Sequence, residues 1–141
     1  MAEAVFRREF EVQGGDFINA GRVSTGIKEI LGQIGVRAVT IRRVAIAAYE
    51  AEMNVVMYAR QGKVTVEVTP EIIRLLVSDQ GPGIENIELA MQEGYSTATE
   101  EMREMGFGAG MGLPNIQKNS DRFTIQSDVG VGTRLSIEVY I

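Results

Sequence analysis

Val64, Val66 and Val68 alternate with Thr65, Glu67 and Thr69, and only Pro70-Glu71 separates this run from the dense apolar stretch Ile72–Val77. Alternation marks a strand with one buried face, and a continuous apolar run suits a central strand. So short a connection permits only an antiparallel hairpin, because a parallel return needs a crossover. Upstream, Phe6, Phe10 and Val12 alternate with Arg7, Glu9 and Glu11 as far as Gly14-Gly15, which predicts a first strand. Phe17 to about Ile34 carries Phe17, Ile18, Val23, Ile27, Ile30, Leu31 and Ile34 at helical spacing, with Gly35 as the stop. A second helix is expected from an N-cap at Thr40 to about Tyr58. Its Val44, Ala47, Ala48, Ala51, Val55 and Tyr58 form a broad small-residue face that can lie close against a sheet, and Gln61-Gly62 reads as the next turn.

Asp79 ends the second hairpin strand, and Ile84–Met91 can form a short helix. Gly94 to about Gly110 has no packing face, the pattern of a functional loop or lid. Met111 to about Asn119 reads as a helix, and Phe123–Ser127 and Arg134–Ile141 as strands around the Gly130-Val-Gly-Thr133 turn. The order β-α-α-β-β-(α)-loop-α-β-β predicts an α+β chain. It suits a two-layer α/β sandwich with helices on one face of a mixed, mostly antiparallel sheet. The strand–helix alternation of a doubly wound fold is missing. At 141 residues, 1–141 is expected to form one domain.

Composition removes several kinds of chemistry. The chain has no cysteine and no histidine, so disulfides, thiol chemistry and the commonest general base and metal ligand are excluded. Absence of cysteine fits a reducing cytoplasm. Net charge is −5, and the basic doublets Arg7-Arg8 and Arg42-Arg43 read as solvated faces, which disfavours nucleic acid as a partner. No apolar run reaches membrane-spanning length, and an N-terminus holding Glu3, Arg7, Arg8 and Glu9 does not read as a signal peptide.

Three motifs carry the chemistry. Glu50 and Asn54 stand four residues apart, so they project from one side of a helix, whereas Glu52 between them reads as a surface residue. An amide oxygen suits Mg²⁺, and a neighbouring carboxylate can take a proton. Two polar residues at a solvent edge would show the same spacing. Asp79 precedes Gly81, Pro82, Gly83 and Ile84, an arrangement that offers a fixed acceptor to an exocyclic amine or simply makes a turn. Gly108, Gly110 and Gly112 lead into a helix, which offers N–H groups to phosphates or serves as a plain hinge. No strand immediately precedes that loop and Leu-Pro follows it, so it is neither a dinucleotide fingerprint nor a Walker loop.

Together these residues resemble an ATP-binding domain of the GHKL superfamily, the Bergerat fold of gyrase, Hsp90, histidine kinases and MutL. Glu50-x-x-x-Asn54 resembles its N box, Asp79-x-Gly81-x-Gly83-Ile84 its first glycine box, Gly108-Ala-Gly110-Met111-Gly112-Leu113 its second, and Gly132-Thr133 its last. The resemblance covers nearly the whole chain. The compact length, Tyr58-Ala59, Gly94-Tyr-Ser-Thr97 and Gly112-Leu-Pro114 are most similar to the bacterial anti-sigma factor and switch-protein serine kinases.

That resemblance implies ATP and Mg²⁺ as cofactors, with Asn54 holding the metal and Glu50 as the base. It implies that Asp79 binds the adenine amine, with Thr133 supporting it through water. Gly81 and Gly83 would shape the pocket beside Ile84, Gly108, Gly110, Met111 and Gly112 would wrap the phosphates, and Gly94–Phe107 would be the lid. The activity implied is serine/threonine kinase action on a partner protein, an anti-sigma-factor antagonist of STAS type or similar, with a sigma factor as another possible partner. A nucleotide-gated regulator that sequesters its partner with little chemistry fits the same motifs. The acidic stretch Thr99–Met105 and Arg60-Gln-Gly62 depart from the pattern, and either Arg103 or Lys118 could meet the γ-phosphate. The apolar face of the first strand and helix serves either a homodimer or an ordinary core.

Overall fold

The structure, a computed structural model, describes residues 6–95, 99–100 and 112–141. The elements run β1 (Phe6–Gln13), α1 (Arg22–Ile34), α2 (Ala38–Tyr58), β2 (Gln61–Val68), β3 (Ile72–Gln80), α3 (Ile87–Ala90), α4 (Gly112–Lys118), β4 (Arg122–Asp128) and β5 (Gly132–Tyr140). The strands form one sheet in the order β1-β2-β3-β5-β4. Every described pairing is antiparallel, so the expected parallel component is missing. The reason is spatial: β4 runs in the same direction as β3, but β5 lies between them.

The dense run read as a central strand is β3, with Ile73, Leu75 and Val77 buried on one face. That face meets Val64, Val66 and Val68 of β2, and Leu135, Ile137 and Val139 of β5. α2 crosses it, touching β1, β2, β3 and β5, with α1 on one side and α4 on the other. Its Ala47, Ala48 and Ala51 are fully buried, and small side chains let the helix axis approach the sheet. The opposite face of the sheet is polar and partly buried, with Thr65 buried within it. There Arg74 meets Glu138 at 3.0 Å and Glu67 at 3.5 Å, and Arg7 meets Glu67 at 3.4 Å. The Arg74 pairs are partly buried, whereas Arg7 is exposed and its pair contributes little to stability. Among the described residues, no helix is long and apolar enough to cross a membrane.

Several local expectations are corrected. α1 starts at Arg22 rather than Phe17, because Gly21 turns left-handed at φ 98° and Ile18 stays 95% exposed. Its first turn is capped from another helix. Glu52, expected on the surface, is buried and accepts the backbone N–H groups of Gly21 at 3.0 Å, Val23 at 3.2 Å and Ser24 at 3.1 Å. α2 starts at Ala38, with Arg37 in the cap position and Thr40 buried within the first turn. Gln61 and Gly62 belong to β2 rather than a turn. A Cβ on Gly62 would lie 2.9 Å from Ser78 O and from Val55 Cγ1, so the glycine serves the close approach of α2 to the sheet. Asp79 lies inside β3, which continues to Gln80. Ile84–Met91 shortens to α3, capped by Asn86 Oδ1 on Leu89 N–H at 3.0 Å. Arg43 is not merely solvated, since it grips Asp121 with two nitrogens at 3.0 and 3.3 Å.

Candidate functional site

The faces of α2 divide the work. Ala47, Ala48, Ala51 and Val55 fill the core, Glu52 turns to α1, and Glu50 and Asn54 look toward α4. A Cβ placed on Gly112, the first residue of α4, would lie 3.4 Å from Asn54 Oδ1 and 3.6 Å from Glu50 Oε2. The backbone at the end of the second glycine segment therefore rests directly on both side chains. Asn115, one turn further along α4, stands near the Glu50 carboxyl. Burial pushes the Glu50 carboxyl above its usual range, and Asn115 acts to lower its pKa.

A second cluster forms at the ends of β3, β4 and β5. Asp79 follows Val77 by two residues and Thr133 precedes Leu135 by two, so both face the helix layer. Thr133 donates its backbone N–H to Asp79 Oδ1 at 3.1 Å, and among the described residues none donates to Oδ2. Burial raises the Asp79 pKa, with the Thr133 N–H acting in the opposite direction. Gly132 makes the strand pairing possible, since a Cβ there would lie 2.0 Å from Asp79 O.

The first glycine turn is tied to the same strands. Gly81 N–H donates to Val131 O at 3.1 Å, Gly130 N–H to Pro82 O at 2.8 Å, and Ile84 N–H to Ser127 Oγ at 2.7 Å. Ser127 Oγ stands 2.9 Å from Thr133 Oγ1. A Cβ on Gly81 would lie 3.0 Å from Ala59 Cα, so the turn abuts the end of α2. Through that contact one helix carries Glu50 and Asn54 and also closes over the Asp79 cluster.

The structure thus brings Glu50, Asn54 and Gly112 together, and separately Asp79, Gly81, Gly83, Ile84 and Thr133. Gly108, Gly110, Met111 and Arg103 lie outside the described residues, as does most of Gly94–Phe107. Lys118 is engaged by Glu93 at 2.5 Å. Sequence reading missed Asn115 and Ser127. Asn115 is three residues beyond Gly112 on a short helix, a spacing that could have flagged it, whereas Ser127 gave no signal before strand pairing was known.

The arrangement has a definite chemical capacity. Among the described residues no three His, Cys, Asp or Glu side chains converge, so the oxygen donors gathered here are one carboxylate and neighbouring amides. Mg²⁺ commonly binds with few protein ligands and several from phosphates and water. Asp79, with one oxygen held and the other available, suits an amine donor.

Residues 18–138 match the histidine kinase-like ATPase domain. The chain belongs to that family. Serine/threonine-protein kinase RsbT of Bacillus subtilis (strain 168) is 29% identical over 112 residues, covering 77% of this chain and 78% of the relative. An anti-sigma F factor of Thermoanaerobacter sp. (strain X514) is 33% identical over 106 residues, covering 72% and 71%. A chain in the crystal structure of the SiaB-SiaC complex from Pseudomonas aeruginosa superposes with a TM-score of 0.58 at 10% identity, covering 99% of this chain and 92% of that one. That last likeness bears on the fold alone. In this histidine kinase-like ATPase domain, membership implies a nucleotide site, and both clusters lie on the helix-covered face of the sheet. A groove between β1 and α1, lined by Phe10, Ile18 and Thr25, contains none of the residues of either cluster.

Proposed function

We propose that this chain is an ATP- and Mg²⁺-dependent serine/threonine protein kinase of the anti-sigma and switch-kinase type, acting as one cytoplasmic domain on a partner protein in bacterial partner switching. The observation that carries the reading is the meeting of Glu50, Asn54 and Gly112, which joins a carboxylate, an amide oxygen and the end of a glycine segment. The similarity to a named serine/threonine-protein kinase supports the choice of reaction.

In this reading Asn54 would hold Mg²⁺ through its amide oxygen, and the metal would supply neutralisation of charge on the phosphates. Asp79 accepts the adenine amine, and the backbone ending at Gly112 borders the phosphate chain. Glu50 accepts the proton of the partner's serine as that oxygen attacks the γ-phosphorus. The bond from the γ-phosphorus to the bridging oxygen breaks, and ADP leaves with the electron pair. A base works best when its pKa approaches the operating pH, and burial moves Glu50 in that direction. The rest of the catalysis is positioning and charge stabilisation.

The anti-sigma F factor relatives support a second reading, in which ATP gates sequestration of a sigma factor or an antagonist of STAS type with little chemistry. Incubation with γ-labelled ATP, Mg²⁺ and a candidate acceptor protein separates them. Label on a partner serine supports the kinase, and a nucleotide-dependent complex without label supports the regulator.

A further inference from the structure

The hydroxyl of Ser127 is a junction between the first glycine turn and β5. It accepts the Ile84 N–H at 2.7 Å, lies 2.9 Å from Thr133 Oγ1, and lies 3.3 Å from Gly132 O. A hydroxyl has one proton to give. Its two possible destinations differ in quality, because O–H···O bonds favour about 2.7–2.8 Å and weaken beyond about 3.0 Å. Thr133 Oγ1 is the nearer acceptor, and Gly132 O at 3.3 Å the more distant one. Either hydroxyl can donate across the 2.9 Å contact; with Ser127 as the donor, the Thr133 proton is left free to point elsewhere.

The Thr133 hydroxyl shares the helix-facing side of the sheet with Asp79, to which Thr133 already donates its backbone N–H. With the proton released in this way, the end of the sheet presents an acceptor from Asp79 beside a donor from Thr133. The edge of adenine offers the complementary pair, an amine on C6 and a bare nitrogen at N1. Were Thr133 instead to donate to Ser127, it would offer only lone pairs to the ring nitrogen.

We propose that Ser127 is a positioning residue for base selection, donating to Thr133 and so fixing the Thr133 hydroxyl as a direct donor to the purine N1. This rests on the nucleotide reading given above. It adds a residue that never needs to touch the base itself.

Calorimetric titration of the full chain with ATP and with 1-deaza-ATP, each with Mg²⁺, tests it without any partner protein. The analogue keeps the 6-amine and lacks only the N1 acceptor. The wild-type chain is expected to favour ATP by about tenfold, the worth of one well-placed hydrogen bond. Ser127→Ala should weaken ATP and bring the two ligands within about twofold of each other, as should Thr133→Val, while Thr133→Ser keeps the preference. If Ser127→Ala fails to fold by circular dichroism, Ser127→Cys, with a weaker donor, takes its place. A merely structural role would weaken both ligands equally. An unchanged ratio in the Ser127 variant, or no preference in the wild type, overturns the proposal and leaves the nucleotide site standing. A wild-type chain that binds no ATP overturns the nucleotide reading, and this proposal with it.

Discussion

Thr133 holds Asp79 by one oxygen only, its backbone N–H reaching Oδ1 at 3.1 Å, so β5 orients the acid of β3 without consuming it. Asp79→Asn separates the two duties. Asparagine can keep its oxygen on Thr133, but then its NH₂ occupies the side from which an adenine amine would approach. ATP affinity should fall at least about tenfold in a calorimetric titration, the cost of losing an acceptor and opposing two donors. Undiminished affinity would contradict the adenine assignment.

The same substitution should affect stability in the opposite direction. Burial raises the Asp79 pKa above 3.8, so the folded chain binds this proton more readily than the unfolded chain. The contribution of Asp79 to stability is complete below pH 3.8 and is lost as pH rises through its folded pKa. Asp79→Asn removes that loss. Without nucleotide the variant should melt above wild type at pH 7, with the gap closing as pH falls toward 3.8. A variant that melts lower at pH 7 would mean the carboxylate is needed for the fold.

Glu50→Ala should abolish phosphoryl transfer while ATP affinity stays within a few-fold, since the carboxylate is assigned to the proton rather than to the nucleotide. Loss of a general base typically costs about 10²–10⁴ in rate. The wild-type rate should rise with pH through an apparent pKa above 4.5, because burial raises this group. Transfer by Glu50→Ala at the wild-type rate would remove Glu50 from the base role.

Local periodicity made the hairpins and the Glu50-Asn54 pair legible, because alternation along Val64–Val68 and four-residue spacing on a helix are properties of a single element. What stayed hidden depends on a second element. Glu52 reads as a surface charge until α1 is docked beside it, when it becomes the cap of that helix. Gly62 resembles a turn residue because the sequence cannot show Val55 pressing on it. The helical pattern of Phe17 and Ile18 runs on into a turn because Gly21 breaks it. Asn115 and Ser127 act only through groups brought to them by α2 and β5.

Gly83 is constrained twice. Its φ of 75° favours glycine, and a Cβ would lie 2.5 Å from Asp128 O, a backbone atom that cannot swing away. Gly83→Ala should cost about 2 kcal/mol or more, combining left-handed strain with a forced shift of the β4–β5 turn. Urea unfolding measures the stability loss. Because that turn carries Gly130 and leads into Thr133, ATP affinity should drop as well; wild-type values of both would remove the constraint.

Glu52 offers the sharpest test of how α2 is set. Its buried carboxylate is the shared acceptor for three N–H groups at the start of α1, where no side chain of α1 itself provides a cap. Glu52→Ala would strand those donors in a place with little water. Leaving buried donors unpaired and removing a cap should together cost on the order of 3 kcal/mol. Glu52→Gln should fall between, because one oxygen still accepts while its NH₂ faces backbone donors. Urea midpoints give the energies, and amide hydrogen exchange locates them. Val23 and Ser24 should exchange faster in the alanine variant before the β3 core amides change. A loss under about 1 kcal/mol, within the range of an ordinary surface substitution, would mean that the carboxylate is not what holds α1 to the helix bearing Glu50 and Asn54.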